Sequence, residues 1–192
     1  MKFQNKFRPI NPYERNIIER AIRKFSSNLF GKLTKDYCFY INFNFIWKKE
    51  SYPSLYLLSS KQEQFIKQIR VLNHIYSAGL YIGFIKKGNL LLSLEFVEFI
   101  EESKYLKKVK SIVVNKSGER SVLYGNDITY RMISSISEDI EKEDEVLIYN
   151  LQHELLALGK FILENEESSL QKQQNKIIFN IIDKGYYLRK KQ

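Results

Sequence analysis

One cysteine, Cys38, and two histidines, His74 and His153, are all this chain offers to a disulfide or a soft metal. An intramolecular disulfide is excluded, and a reducing compartment fits best. A zinc ribbon needs four Cys or His ligands at set spacings, and neither His stands at such a spacing from Cys38 or from paired carboxylates. Glycine and proline are also scarce, 8 and 3 in 192 residues. No Gly/Ser linker, low-complexity tract or repeat divides the chain. The glycine patterns of a P-loop, a dinucleotide fold or a nucleophile elbow are missing. Apolar runs break at Lys, Glu or Asn well short of the ~20 residues a membrane span requires. The opening "MKFQNKFRPINPYER" lacks the apolar core of a signal peptide. These absences predict a soluble intracellular protein, with no enzymatic chemistry, no cofactor and no metal. It should be cytoplasmic.

Bulk and positive charge are present instead. Hydrophobic residues make up 44%, with 13 Tyr and 13 Phe, enough for one sizeable core or two small ones. The formal charge is +9. An excess of this size points to a polyanion, most often nucleic acid. The plainer alternative is a basic surface with no specific partner. The charge is uneven: residues 1–106 carry 17 Lys/Arg against 9 Asp/Glu, and residues 107–192 carry 14 against 13. "ESKYLKKVK" (102–110), where an apolar helical pattern gives way to lysines and then strands, marks the predicted boundary between domains 1–106 and 107–192.

The first domain is predicted to be α+β, an antiparallel sheet with helices. Ile17, Ile18, Ala21, Ile22 and Phe25 form a stripe at helical spacing in 11–25, with Asn11 as cap and Pro12 in the first turn. Residues 36–47 alternate like a strand. A Ser60–Glu63 capping box opens a helix over 59–69. Residues 78–93 read as a hairpin turning at Lys87-Gly88-Asn89, and 94–102 as a helix with Glu95, Glu98 and Glu102 outward. The second domain reads as short strands at 111–115, 119–125, 145–150, 155–163 and 176–183, separated by turn signals. Little helix accompanies them, and the pattern is that of a small barrel. Residues 184–192 read as a helical turn with a basic tail.

"VLYGNDI", "DEVLIYNLQHELLALGKFIL" and "DKGYYLRK" resemble a PUA domain, the small RNA-associated pseudobarrel. "FRPINPYERNIIERAIRKF", "YLLSS" and "SAGLYIGFIKKGNLLLSLEFVEFI" precede them in order. From about Phe7 to Arg189 the chain resembles the Nip-seven family of large-ribosomal-subunit biogenesis factors. The resemblance implies an N-terminal α+β domain followed by a C-terminal PUA-like β-pseudobarrel. It also implies a non-enzymatic factor in pre-rRNA processing that binds uridine-rich or single-stranded RNA. Ribosome-assembly or RNA-processing proteins would be its partners, and no membrane. The chain departs from the family in a glycine-poor loop at 129–135, at Ala157, at Tyr40, and in what looks like an insertion at 43–53.

Several residues follow as candidate RNA contacts. Gly125 suits a turn with positive φ or simply ends a strand, and Asn126 and Asp127 can close the turn through their side chains. Tyr130 and Arg131 can replace backbone contact with stacking and charge, unless Tyr130 is a barrel residue. Lys184, Arg189, Lys190 and Lys191 interleave with Tyr186 and Tyr187, a mixture suited to single-stranded RNA or to a solvated tail. On the first domain, Arg20 and Lys24 stand among Arg15, Arg23, Lys32 and Lys35. They form either a solvated helix face or an rRNA contact. A second basic group there is Lys48, Lys49, Lys86 and Lys87. Acids crowd 138–145 and 164–167 and would repel phosphate. Two other roles remain open. One is a protein-interaction adaptor for RNA-processing or RNA-degradation machinery, with a structural PUA domain. The other is an accessory subunit of an RNA-modifying enzyme.

Overall fold

The computed structural model describes residues 7–43, 52–69, 75, 77–103, 105, 110–162 and 176–189, the side chains of 187 and 188 excepted. The chain divides into two compact units, Met1–Leu106 and Lys107–Gln192.

The first unit is built on an antiparallel sheet of β1 (Arg8–Pro9), β2 (Tyr37–Asn42), β3 (Ser54–Ser59), β4 (Leu80–Lys86) and β5 (Asn89–Leu92), in that spatial order. Helices α1 (Pro12–Arg23), α2 (Leu29–Asp36) and α4 (Leu94–Glu102) lie on one face, and α3 (Ser60–Ile69) on the other. Side chains alternate across a strand. Phe39 and Ile41 therefore join Ile18, Ile22, Leu29, Leu33, Phe96 and Ile100 in the larger core. Tyr40 faces the opposite way and packs with Phe7, Tyr56, Leu58 and Ile66. Each fully buried Leu, Ile or Phe contributes about 1.5–3 kcal/mol. Helix α1 opens with a capping box: Asn11 Oδ1 accepts from Glu14 N at 2.9 Å, and Glu14 Oε2 accepts from Asn11 N at 2.8 Å. The β4–β5 turn holds Lys87 and Gly88 at φ 50° and 75°, the paired positive angles of a tight hairpin turn.

Two details depart from the sequence-based expectations. The capping box of α3 lies one residue earlier, on Ser59 and Gln62. Ser59 N donates to Gln62 Oε1 at 2.8 Å, and Gln62 N to Ser59 Oγ at 3.4 Å. Glu63 is drawn away by Lys67 at 3.0 Å and by the Tyr40 hydroxyl at 3.1 Å. Helix α2 was not anticipated: it spans only eight residues, and its buried Leu29, Phe30 and Leu33 are too few to declare a period.

The second unit is a curled sheet of β6 (Ser111–Val114), β7 (Ile128–Thr129), β8 (Ile133–Ile136), β9 (Glu145–Tyr149), β10 (Leu155–Phe161) and β11 (Lys176–Asp183). The order is β7-β11-β10-β9-β6-β8. Only β6 and β9 pair in parallel among the described strands. The two edge strands, β7 and β8, are joined directly by a 3-10 turn at Tyr130–Met132, so the sheet bends round nearly to closure. Bulges at Leu158/Gly159 and Leu155/Ala157 supply the bend. Ile112, Val114, Val146, Ile148, Ala157, Ile177 and Ile178 fill the interior. Helices α5 (Lys116–Leu123) and α6 (Tyr186–Arg189) complete the unit.

Here the expected strand over 119–125 is a helix. Asn115 caps α5 by accepting from both Ser117 N and Gly118 N at 3.0 Å. The glycine-poor stretch 129–135 is no loop but a 3-10 turn running into β8. Such backbone is held by a neighbour strand and has no need of glycine.

Candidate nucleic-acid interface

Helix α5 and the segment behind it organise the candidate surface. On a helix, residues four apart share a face. Lys116, Arg120 and Tyr124, the residue just past the last turn, therefore form one outward row, all exposed, Tyr124 by 74%. Among the described residues no carboxylate engages Lys116 or Arg120. The buried side of α5 rests on Val122, wholly buried, and on Gly118. A Cβ at Gly118 would stand 2.7 Å from the Met132 carbonyl oxygen, so only glycine lets the 3-10 turn press this closely. Asn115 Nδ2 then donates to the Arg131 carbonyl at 2.8 Å and fixes the turn beside the start of the helix. Tyr130 is 49% exposed and the Arg131 side chain points to solvent. Aromatic faces and unneutralised cations are thus brought together by one helix and the turn packed on it. Sequence reasoning missed Lys116, Arg120 and Tyr124 because it assigned the last two to a strand over 119–125 and left Lys116 in the turn before it. The signal was there in Asn115 followed by Ser117 and Gly118, a cap with its two donors.

Gly125 ends α5, not a strand. It takes φ 82°, with Gly125 N donating to Val122 O at 2.8 Å and Asn126 N to Ser121 O at 3.0 Å. This pair of bonds is the Schellman closure, which favours glycine in the left-handed conformation. Backbone bonds close the turn, and Asp127 is used elsewhere. Its carboxylate accepts from Asn180 N at 3.1 Å and pairs with Lys176 at 3.0 Å, tying the turn to β11.

Arg189 lies against this turn. Its guanidinium forms two bonds of 2.8 Å with Asp183 and donates to the Leu123 carbonyl, one of the last of α5. Asp183 is 3% exposed. The hydrogen bonds to Asp183 raise the Arg189 pKa further, so the charge is permanent and already answered within the unit. Asn180 Nδ2 serves the neighbouring Val122 carbonyl at 3.1 Å. A Cβ at Gly125 would sit 2.7 Å from Arg189 Nη2. Arg189 is therefore first a clamp on the helix end. Lys184 is exposed, with its backbone N–H bonded to Leu156 O at 2.9 Å, and Tyr186 is 36% exposed. Lys190, Lys191 and the Tyr187 side chain lie outside the described residues, as do Lys48, Lys49, His74 and the acids of 164–167.

On the first unit, the basic face of α1 and α2 is largely engaged. Arg20 donates to Gly88 O at 2.9 Å, Arg23 pairs with Glu19 at 2.6 Å, Arg15 covers the Phe30 ring at 4.9 Å, and Lys32 donates to Tyr105 O at 3.3 Å. Lys24 is exposed. No cluster of three or more His, Cys, Asp or Glu that could hold a metal occurs among the described residues. No helix among them is long and apolar enough to cross a membrane.

Comparison with known proteins places this geometry in a family. Residues 7–94 match the family model described as NIP7/UPF0113, pre-PUA domain, and residues 110–192 match that described as UPF0113 PUA domain. Among solved structures, a conserved PUA domain protein from Thermoplasma acidophilum superposes with a TM-score of 0.57 at 16% identity, covering 98% of this chain and 99% of that one. A hypothetical protein from Pyrococcus horikoshii does so at 0.57 and 14%, covering 95% and 98%. At these identities the likeness concerns the fold. A tRNA-guanine(15) transglycosylase of Methanobrevibacter smithii is 32% identical over 99 residues. That match takes in 50% of this chain and only 15% of the enzyme. The two adjoining family matches, on the two units in the order just described, show that the chain belongs to the NIP7/UPF0113 family, a pre-PUA domain followed by a C-terminal PUA domain.

Proposed function

We propose that this protein binds single-stranded RNA along α5 and the 130–131 turn, and that it does so as a non-enzymatic factor in large-subunit ribosome biogenesis and pre-rRNA processing. One observation carries the RNA reading: an exposed aromatic, Tyr124, ends a row of unneutralised cations on a small PUA domain. Phosphates attract Lys116, Arg120 and Arg131 without regard to sequence. A base unstacked from its neighbours can lie on Tyr124 or Tyr130, each such stack contributing about 1–3 kcal/mol. The family supports RNA binding over catalysis. The transglycosylase relative is named for an action on tRNA, which favours the same ligand class. The biogenesis role, uridine-rich pre-rRNA as the target, assembly or processing proteins as partners, and a cytoplasmic or nucleolar location rest on the family resemblance.

The test is fluorescence anisotropy with a uridine-rich oligonucleotide over a series of salt concentrations. Replacing both Lys116 and Arg120 with Ala should reduce the log–log salt slope by about 0.7 for each phosphate no longer neutralised. Tyr124→Ala should weaken binding with the slope unchanged. Binding unaffected by all three changes would remove α5 from the interface. A purified chain that transforms a nucleotide unaided would end the non-enzymatic reading.

A further inference from the structure

We propose that the outer edge of β8 is a docking site for an extended, Lys- or Arg-rich segment of a partner protein, added to the sheet as a further strand. Among the described residues, strand β8 borders the sheet and pairs with β6 on one side only. Ile136 stands opposite Ile112, and Ser137 N donates to Ser111 O at 3.0 Å. In an antiparallel ladder, bonded and non-bonded pairs alternate. The Ile136 N–H and C=O are therefore turned away from β6 and open to an incoming backbone. Ser134, Ser135 and Ile136 are exposed, Ile136 by 39%.

Sheet edges are ordinarily blunted by charge, proline or brevity. β1 has two residues and includes Pro9, and β7 has two residues; β5, with four residues and neither charge nor proline, has α1 packed beside it. β8 has four, Ile-Ser-Ser-Ile, with neither charge nor proline. Its one irregularity is a bulge on β8 itself: Val113 and Val114 stand opposite Ser135 and Ile133, so Ser134 is the extra residue, and only the Ser135–Ile136 end stays in register and open.

Charge selects the occupant. The connection that follows, 137–144, holds five acids and one Lys. Asp144 is answered by Lys110 at 2.6 Å and Glu143 by Lys160. Glu138 and Glu141 remain exposed. The connection is pinned to the sheet: the Ser137 hydroxyl accepts from Ser111 N at 2.9 Å and donates to Ser111 O at 2.8 Å. Carboxylates so fixed at the end of an open edge repel phosphate and favour a strand with basic side chains. Main-chain bonds would supply affinity, and these acids selectivity, as in other strand additions.

The probe is a labelled peptide of about ten residues alternating Val and Lys, with a Val/Glu peptide as control, about twice the length of the strand at ~3.3 Å per residue. The Val/Lys peptide should bind in a salt-dependent way and slow hydrogen exchange at the Ile136 amide. Ile136→Pro removes an outward donor and no bond to β6, so it should weaken the peptide about tenfold or more. Glu138→Lys with Glu141→Lys should do the same. Ile136→Pro should bind the uridine-rich RNA as the wild type does, which keeps this result separate from that for α5, and the double lysine variant, having lost two repulsive carboxylates, should bind it at least as tightly. Equal binding of the Val/Glu peptide, or an Ile136 amide left unprotected, overturns the proposal. So does a dimer in sedimentation that Ile136→Pro abolishes, since a second copy would then own the edge. Should Ile136→Pro fail to fold, the double lysine variant and the wild-type exchange data decide alone.

Discussion

At the scale of single residues, the contrast between Arg189 and Lys116 shows what a sequence hides. Both are basic. Arg189 reads as one member of a C-terminal cationic cluster, yet its guanidinium is tied to buried Asp183 and to the end of α5. Arg189→Ala strands that carboxylate. It should cost on the order of 3 kcal/mol, the usual penalty for removing one partner of a buried pair. Gly125→Ala should cost about 1–2 kcal/mol from its left-handed backbone, and more from the clash with Arg189. Thermal or denaturant unfolding measures both, and an unchanged midpoint for Arg189→Ala would show that Asp183 finds another donor. Glu63 gives a pH-dependent case. Its bond to Lys67, with further bonds from Tyr40 and Cys38, holds its pKa below the usual carboxylate value despite burial. A depressed folded pKa stabilises above the unfolded value and is lost as pH falls through the folded one. Glu63→Gln should therefore narrow its stability gap from wild type as pH drops from neutral through the acid range. A gap that stays constant in urea titrations across that range would contradict the assignment. Burial, and then the Glu63 hydrogen bond, raise the pKa of Cys38, so its thiol stays protonated and a poor nucleophile.

At the scale of elements, helical periodicity made α1 and α4 legible, while strands such as β9 and β10, buried almost without alternation, were legible as short apolar runs between turn signals. Periodicity failed where the elements are short. α5 spans eight residues with only Gly118 and Val122 buried, too few for a period. Apolar Val122, Leu123 and Tyr124 in a row imitate a strand. What defines α5 is its ends, Asn115 and Gly125, and these are legible only as a pair. The glycine-poor turn misled for the reverse reason. A β8 held to β6 at both ends needs no left-handed residue, so missing glycine marked an ordered strand. Asn115 does two jobs that can be separated. Its Oδ1 caps α5 and its Nδ2 holds the Arg131 carbonyl. Asn115→Ala should cost about 1 kcal/mol through the missing cap and weaken RNA binding. Asn115→Asp keeps the acceptor and loses the donor, so it should recover most of the stability and little of the RNA affinity. Full recovery of both would mean that the tie to Arg131 has no part in binding.

At the scale of the whole chain, the charge and the stacking platform fall on different units. Residues 1–106 carry the excess of cations, and the exposed tyrosine row belongs to 107–192. In the first unit many of those cations already meet a carboxylate, a carbonyl or a ring, as Arg8 does with Glu14 at 2.7 Å and Lys86 with Tyr52 at 4.9 Å. Such pairing removes few opportunities for long-range attraction, because the net field of the unit survives it, but it leaves fewer groups to bind phosphate at close range. The two units then have separable kinetic roles. Reversing Arg20 and Lys24 to Glu should slow RNA association at low ionic strength, and the effect should fade near 1 M salt, where the screening length is about 3 Å. Tyr124→Ala should instead speed dissociation and leave association nearly unchanged, since short-range forces act after the encounter. If the steering and stacking surfaces are independent, the combined variant shows the sum of the two free-energy effects to within about 0.5 kcal/mol. Stopped-flow measurement at several salt concentrations reads both rates. Loss of binding at every salt concentration from the Arg20 and Lys24 reversal alone would put the RNA against the first unit, and α5 would then be only a well-capped helix on the outside of a barrel.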